Sequence, residues 1–138
     1  MKVAVSACLM GRNCKYNGGN NLNKRVIDFI GEKEYIEICP EVLAGLGTPR
    51  VPIEIVNGEV ISRDGVNVDK QIREAVNKIL QMLADEEIEC VILKSRSPTC
   101  GVKEIYDGTF SGVLIKGEGT LAEALRKAGY KVIDCEDI

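Results

Sequence analysis

Apolar residues recur along the chain with two alternating periods, and the order of those periods predicts the elements. Residues 2–6 carry β-favouring side chains and open into the Gly- and Asn-rich stretch 8–21, a strand feeding a loop. From Leu22 the positions Leu22, Val26, Phe29 and Ile30 fall at helical spacing, with Asn20 or Asn21 as N-cap and Gly31 at the end. Residues 35–38 predict a second strand, halted at Cys39-Pro40 because proline cannot donate to a central ladder. The following stretch, 41–64, holds Gly45, Gly47, Pro49, Pro52 and Asn57-Gly58, which predicts a loop and a short hairpin over 54–62. Loops of such length are usually functional. Val68, Ile72, Val76, Ile79, Leu80 and Leu83 form one stripe with Asp69, Lys70, Arg73 and Lys78 opposite it, the surest helix in the chain, capped by Asn67 or Asp69.

The continuous apolar run 90–93 suits a strand buried on both faces, and it empties into Lys94-Ser95-Arg96-Ser97-Pro98-Thr99-Cys100-Gly101. A last helix over 120–128, with Gly129 as its cap, leads to a strand over 130–133. Strands and helices alternate, so the expected fold is a Rossmann-like, three-layer α/β domain with a mainly parallel sheet and right-handed crossovers. A chain of 138 residues with 45% apolar composition suffices for one domain spanning 1–138.

Composition narrows the chemistry. No run of about 18 apolar residues and no leader pattern occur, so a cytoplasmic protein away from membranes is expected. A formal charge of -3 argues against nucleic acid as partner. Six cysteines in a reducing compartment point to metal or thiol chemistry instead of disulfides. The chain has no histidine, which removes the commonest zinc ligand and general base together. Thiolates then select zinc or an iron–sulfur cluster.

Three of the cysteines, Cys8, Cys39 and Cys100, follow the carboxyl ends of three predicted strands, where a doubly wound sheet opens its ligand crevice. Three thiolates on a rigid sheet edge suit a cubane cluster whose fourth iron stays open. Pro40 and Gly101, next to two of them, are read as shaping tight backbone, with glycine letting amides approach sulfide. Against this stands the frequency with which a single free cysteine is merely packed. Cys90 and Cys135, embedded in apolar segments, are read as structural. Cys14, in the loop after Cys8, is open to three readings: a fourth ligand, a thiol acting on substrate, or an inert side chain. Glu41 and Ser97 would face the same crevice, although without a cluster a solvated carboxylate and a turn-capping hydroxyl are the favoured readings for them. Gly117-Glu118-Gly119-Thr120-Leu121-Ala122 matches a dinucleotide fingerprint superficially, but its late position identifies a helix start.

Several motifs in order resemble a known family: Ser6-Ala7-Cys8-Leu9-Met10-Gly11 with Cys14-Lys15-Tyr16-Asn17-Gly18, then Cys39-Pro40-Glu41-Val42 with Thr48-Pro49-Arg50. Leu93-Lys94, Ser97-Pro98-Thr99-Cys100-Gly101 and the run from Ile105 to Gly112 complete the set. Together they resemble the DUF523 family, which includes thiouracil desulfidases. The resemblance implies a 4Fe-4S cluster on Cys8, Cys39 and Cys100 and removal of sulfur from a small thiolated heterocycle without net redox change. It further implies Ser97 as a catalytic residue and, more weakly, Glu41 as the proton-transfer carboxylate. Thr99, Asn17 and Gly47 depart from the family's usual serine, aspartate and proline, none of them a proposed ligand. The competing reading is a non-catalytic zinc or iron–sulfur module closed by Cys14. A metal-free thiol enzyme lacks a histidine base.

Overall fold

The computed structural model describes all 138 residues. In chain order the elements are β1 (Lys2–Ser6), α1 (Lys24–Ile30), β2 (Tyr35–Ile38), α2 (Pro40–Leu43), β3 (Ile53–Val56) and β4 (Glu59–Ser62). Then come α3 (Asp69–Ala84), β5 (Ile88–Leu93), β6 (Glu104–Tyr106), β7 (Leu114–Lys116), α4 (Thr120–Lys127) and β8 (Val132–Asp134). Four strands form one parallel sheet in the order β2-β1-β5-β8, while β3-β4 and β6-β7 are separate antiparallel hairpins. The mainly parallel α/β architecture expected from the alternation is therefore the one observed.

Period-two alternation explains the layers. On β1, Ala4 faces α3 and α4, joining Ile72, Val76, Ile79, Leu121 and Leu125. Its neighbours Val3 and Val5 face the other way and pack with Val26 and Ile30 of α1 and with Cys90 and Ile92 of β5. Both faces of the strand are thus covered, as parallel sheets require. Each such fully buried Val or Leu side chain stabilises the fold by about 1.5–3 kcal/mol relative to exposure.

Register positions the site. Ser6 pairs with Ile38 across β1-β2, and Val5 pairs with Ile92 across β1-β5, so three strands end level with one another. The chain leaves β1 toward β2 on one side and returns to β5 on the other, which makes the β1/β5 edge the topological switch point.

Four local expectations need correction. The cap of α1 is Asn23, whose side chain accepts from the Val26 amide, because Asn20 and Asn21 are spent within the preceding loop. Pro40 begins a short helix instead of a loop: it occupies N1, where its missing N–H costs nothing. The last strand starts at Val132, two residues later than expected, after Gly129 turns the chain in the left-handed region. The β6-β7 hairpin was not anticipated, since three-residue strands carry too little periodicity to be seen in sequence. No helix is long and apolar enough to cross a membrane.

Candidate active site

Beyond the level ends of β1, β2 and β5 lies a cavity of ≈ 490 Å³ bordered by Cys8, Cys39, Cys100, Cys14, Glu41 and Ser97. All five expected site residues meet there, and so does Cys14. Cys90 and Cys135 do not: both are buried in the core cluster beneath α1, as their apolar surroundings implied.

Each cysteine is presented by a different device. Cys8 lies in the 3-10 turn Ala7–Met10 that follows β1 directly, and Asn21 Nδ2 donates to its sulfur at 3.4 Å. Cys39 occupies the N-cap position of α2. Cys100 comes from the loop after β5, well beyond the strand end and not just past it, and a tight turn carries it back. Ser97 Oγ forms that turn by accepting from the amides of Thr99 at 3.1 Å and Cys100 at 3.0 Å. The Ser97 hydroxyl also shares a 3.0 Å hydrogen bond with Thr99 Oγ1, so it is engaged on every side with the turn that it builds.

The N-terminus of α4 anchors the same turn. Its free amides donate to the turn's carbonyls, Thr120 to Pro98 at 3.0 Å and Leu121 to Thr99 at 2.8 Å. A Cβ on Gly119 would stand 2.4 Å from the Thr99 carbonyl carbon, so only glycine permits this docking. The glycine-rich run that superficially matched a dinucleotide fingerprint is therefore the seat of the Cys100 turn. Gly101 has a related role: its Cβ would lie 2.7 Å from the Ser97 carbonyl oxygen. It lets backbone pack on backbone, which replaces the expectation that it admits amides to sulfide.

Two of the expected ligand sulfurs have a hydrogen-bond donor: Asn21 Nδ2 serves Cys8 at 3.4 Å and Thr99 Oγ1 serves Cys100 at 3.7 Å. Burial pushes the Cys100 thiol up to about 12, with the Ser6 and Thr99 hydroxyls opposing. Burial likewise raises Cys8, with the Asn21 donor and the Lys94 charge opposing. Cys14 is pushed up to about 12 by burial first and then by the neighbouring Cys39 and Cys8.

The donor set separates the two metal readings. Sulfurs ligating one zinc at about 2.3 Å must sit within roughly 4 Å of one another. No three Cys, Asp or Glu side chains gather tightly enough to hold a single ion. Thiols spread around a cavity, two of them with hydrogen-bond donors and with Lys94 and Arg50 bordering the same space, suit the larger body of a cluster.

Glu41 stands in the first turn of α2 and meets Arg50 Nη2 at 3.4 Å, with side-chain exposures of 17% and 6%. Burial raises the Glu41 carboxyl above its ordinary value while Arg50 pulls it back. Arg50 also donates to the carbonyls of Cys14 at 2.9 Å and Gly47 at 2.9 Å, and its own amide donates to Tyr16 at 2.7 Å. It therefore fastens the Cys14 loop to the loop before β3. Asn21, expected as a helix cap, serves a thiol instead, and Arg50, Ser6 and Thr99 carry no role from sequence beyond their places in the family motifs.

Against this geometry, the sequence profile of the 2-thiouracil desulfurase family matches residues 3–137. The chain belongs to that family. An uncharacterized protein YbbK of Bacillus subtilis (strain 168) is 38% identical over 141 residues, covering 95% of this chain and 93% of the relative. A solved structure, the 4Fe-4S-dependent thiouracil desulfidase TudS, superposes with a TM-score of 0.93 at 34% identity, covering 99% of this chain and 92% of that one. The fold and the family resemblance drawn from the motifs agree with both. Within the 2-thiouracil desulfurase family frame, the cavity at the switch point is the candidate active site.

Proposed function

We propose that the protein is a cluster-dependent desulfidase that exchanges the sulfur of a small thiolated heterocycle for the oxygen of water, releasing hydrogen sulfide with no net redox change. The observation that carries this reading is the convergence of Cys8, Cys39 and Cys100 on one cavity, with hydrogen-bond donors on the Cys8 and Cys100 sulfurs. A 4Fe-4S cluster held by those three thiolates supplies an open iron, a soft acceptor that prefers sulfur to oxygen. In this reading Cys14 borders the cavity without serving as a fourth ligand.

The remaining work falls to this chain's own side chains. Exchange of sulfur for oxygen requires a proton to leave the attacking water and protons to reach the departing sulfur. With no histidine in the sequence, Glu41 is the proton carrier, and Arg50 fixes the direction of its carboxyl group. Ser97 holds the turn that aims Cys100, and its hydroxyl borders the cavity where substrate would lie.

The test is anaerobic reconstitution with iron and sulfide, followed by incubation with 2-thiouracil and quantification of uracil and sulfide. Uracil and sulfide in equal amounts are expected. A chain that assembles a cluster, seen in its visible spectrum, yet takes sulfur from no thiobase would refute the activity.

A further inference from the structure

Six aromatic side chains, two Phe and four Tyr with no Trp, serve the whole chain, and three of them, Tyr16, Tyr106 and Phe110, border the cavity. Tyr106 and Phe110 belong to neither apolar core cluster, so core packing does not explain their placement. Phe110 lies in the loop between β6 and β7 with φ 56°, left-handed backbone that sterically disfavours a bulky L side chain. Strained residues of this kind persist only where surrounding structure over-determines them, and they cluster at ligand clamps.

The over-determining group is Glu54 on β3. Its carboxylate is buried, and one oxygen, Oε1, accepts from the amides of Gly108 at 2.9 Å and Phe110 at 3.1 Å. Asp107 tightens the same turn by accepting from the Thr109 amide at 3.0 Å. A buried carboxylate spent on two loop amides fixes where the Phe110 ring stands relative to the thiols. The two amide hydrogen bonds offset the cost of burying that carboxylate.

We propose that Phe110 is a specificity-determining residue that receives the flat face of a heteroaromatic ring in the cavity, with Glu54 as the positioning residue that holds it. This deepens the desulfidase reading and rests on it for the substrate class. Every nucleobase has a π face, so a phenyl wall selects flat aromatic thiocarbonyls over aliphatic ones such as thioacetamide without reading the ring's edges.

The experiment compares the cluster-loaded wild type with F110A, F110L, F110Y, E54A and E54Q under anaerobic conditions. It reads KM and kcat for 2-thiouracil and, independently of sulfur loss, the Kd for uracil by saturation-transfer NMR. F110A and F110L should raise KM and Kd about tenfold or more, the scale of one lost base–aromatic stack, with kcat changed less than about threefold. F110L keeps apolar bulk, so its loss is not a folding effect. E54A should behave like F110A, whereas E54Q should stay near wild type because a glutamine Oε1 still accepts both amides. F110Y should also stay near wild type. Sulfur release with unchanged KM and Kd across F110A and F110L would overturn the inference and leave the desulfidase reading standing. Uracil binding that weakens in F110A without any sulfur release would do the reverse. A wild type that binds neither ring overturns both.

Discussion

Arg50→Met removes the cation from a buried pair while keeping the bulk of the side chain, and its cost can be worked from the structure. Arg50 is 6% exposed and stands 3.4 Å from Glu41, and its guanidinium also donates to the carbonyls of Cys14 and Gly47. Stripping one partner from a buried pair typically costs about 3–5 kcal/mol. Two features reduce that. Arg50 Nε is buried without a partner, so its removal relieves one desolvated group. Glu41, already raised by burial, escapes its isolation by taking a proton, at about 1.4 kcal/mol per pH unit. The expected loss is about 2–4 kcal/mol at neutral pH, a large share of the 5–15 kcal/mol typical of a domain.

Urea unfolding of the reduced, metal-free chain measures this as a midpoint shift of roughly 1–2 M with an unchanged slope. The double variant R50M/E41Q should be less destabilised than the two singles summed, because it leaves no orphaned charge. The pH dependence has a definite sign. The folded-state value for Glu41 lies above its unfolded one, so the folded chain binds more protons and stability falls as pH rises through that window. Without Arg50 the window widens upward, so the gap between R50M and wild type should narrow as pH drops toward the ordinary carboxylate range. An R50M chain within about 0.5 kcal/mol of wild type at neutral pH, or a gap that widens in acid, would refute the buried-pair account.

Serine at position 8, 39 or 100 should abolish the visible absorbance of the reconstituted protein, whereas C14S should retain it; loss of the cluster in C14S would instead make Cys14 a ligand. S97A leaves the Thr99 and Cys100 amides unpaired and should lose about 1–3 kcal/mol by urea unfolding. S97N can still accept from those amides, so stability without activity in S97N would assign the hydroxyl a catalytic part, and activity would assign it the turn alone. G119A forces a Cβ to 2.4 Å from Thr99 and should lower iron retention after gel filtration more than a control alanine at Lys78 on the exposed face of α3.

Local pattern determined a good deal about this protein. The 3.6-residue stripe from Val68 to Leu83, the apolar run into Leu93 and the polar break after Ser6 each follow from which side chains can be buried at which spacing. Placing Cys8 and Cys39 directly after strands brings those two to one edge, because parallel strands joined by crossovers must end together, whereas Cys100 reaches that edge only through its turn. Other features required the folded chain. Ser97 as the hinge of the Cys100 turn, Gly119 as its seat and the Arg50 bridge between two loops are set by distances between segments that no periodicity encodes. The same holds for the sulfur donors: Asn21 and Thr99 are ordinary polar residues in the sequence. They become a matched set only when the strands end level and the three thiols share one cavity, since a hydrogen bond is decided by position within a few tenths of an ångström and composition carries no such information.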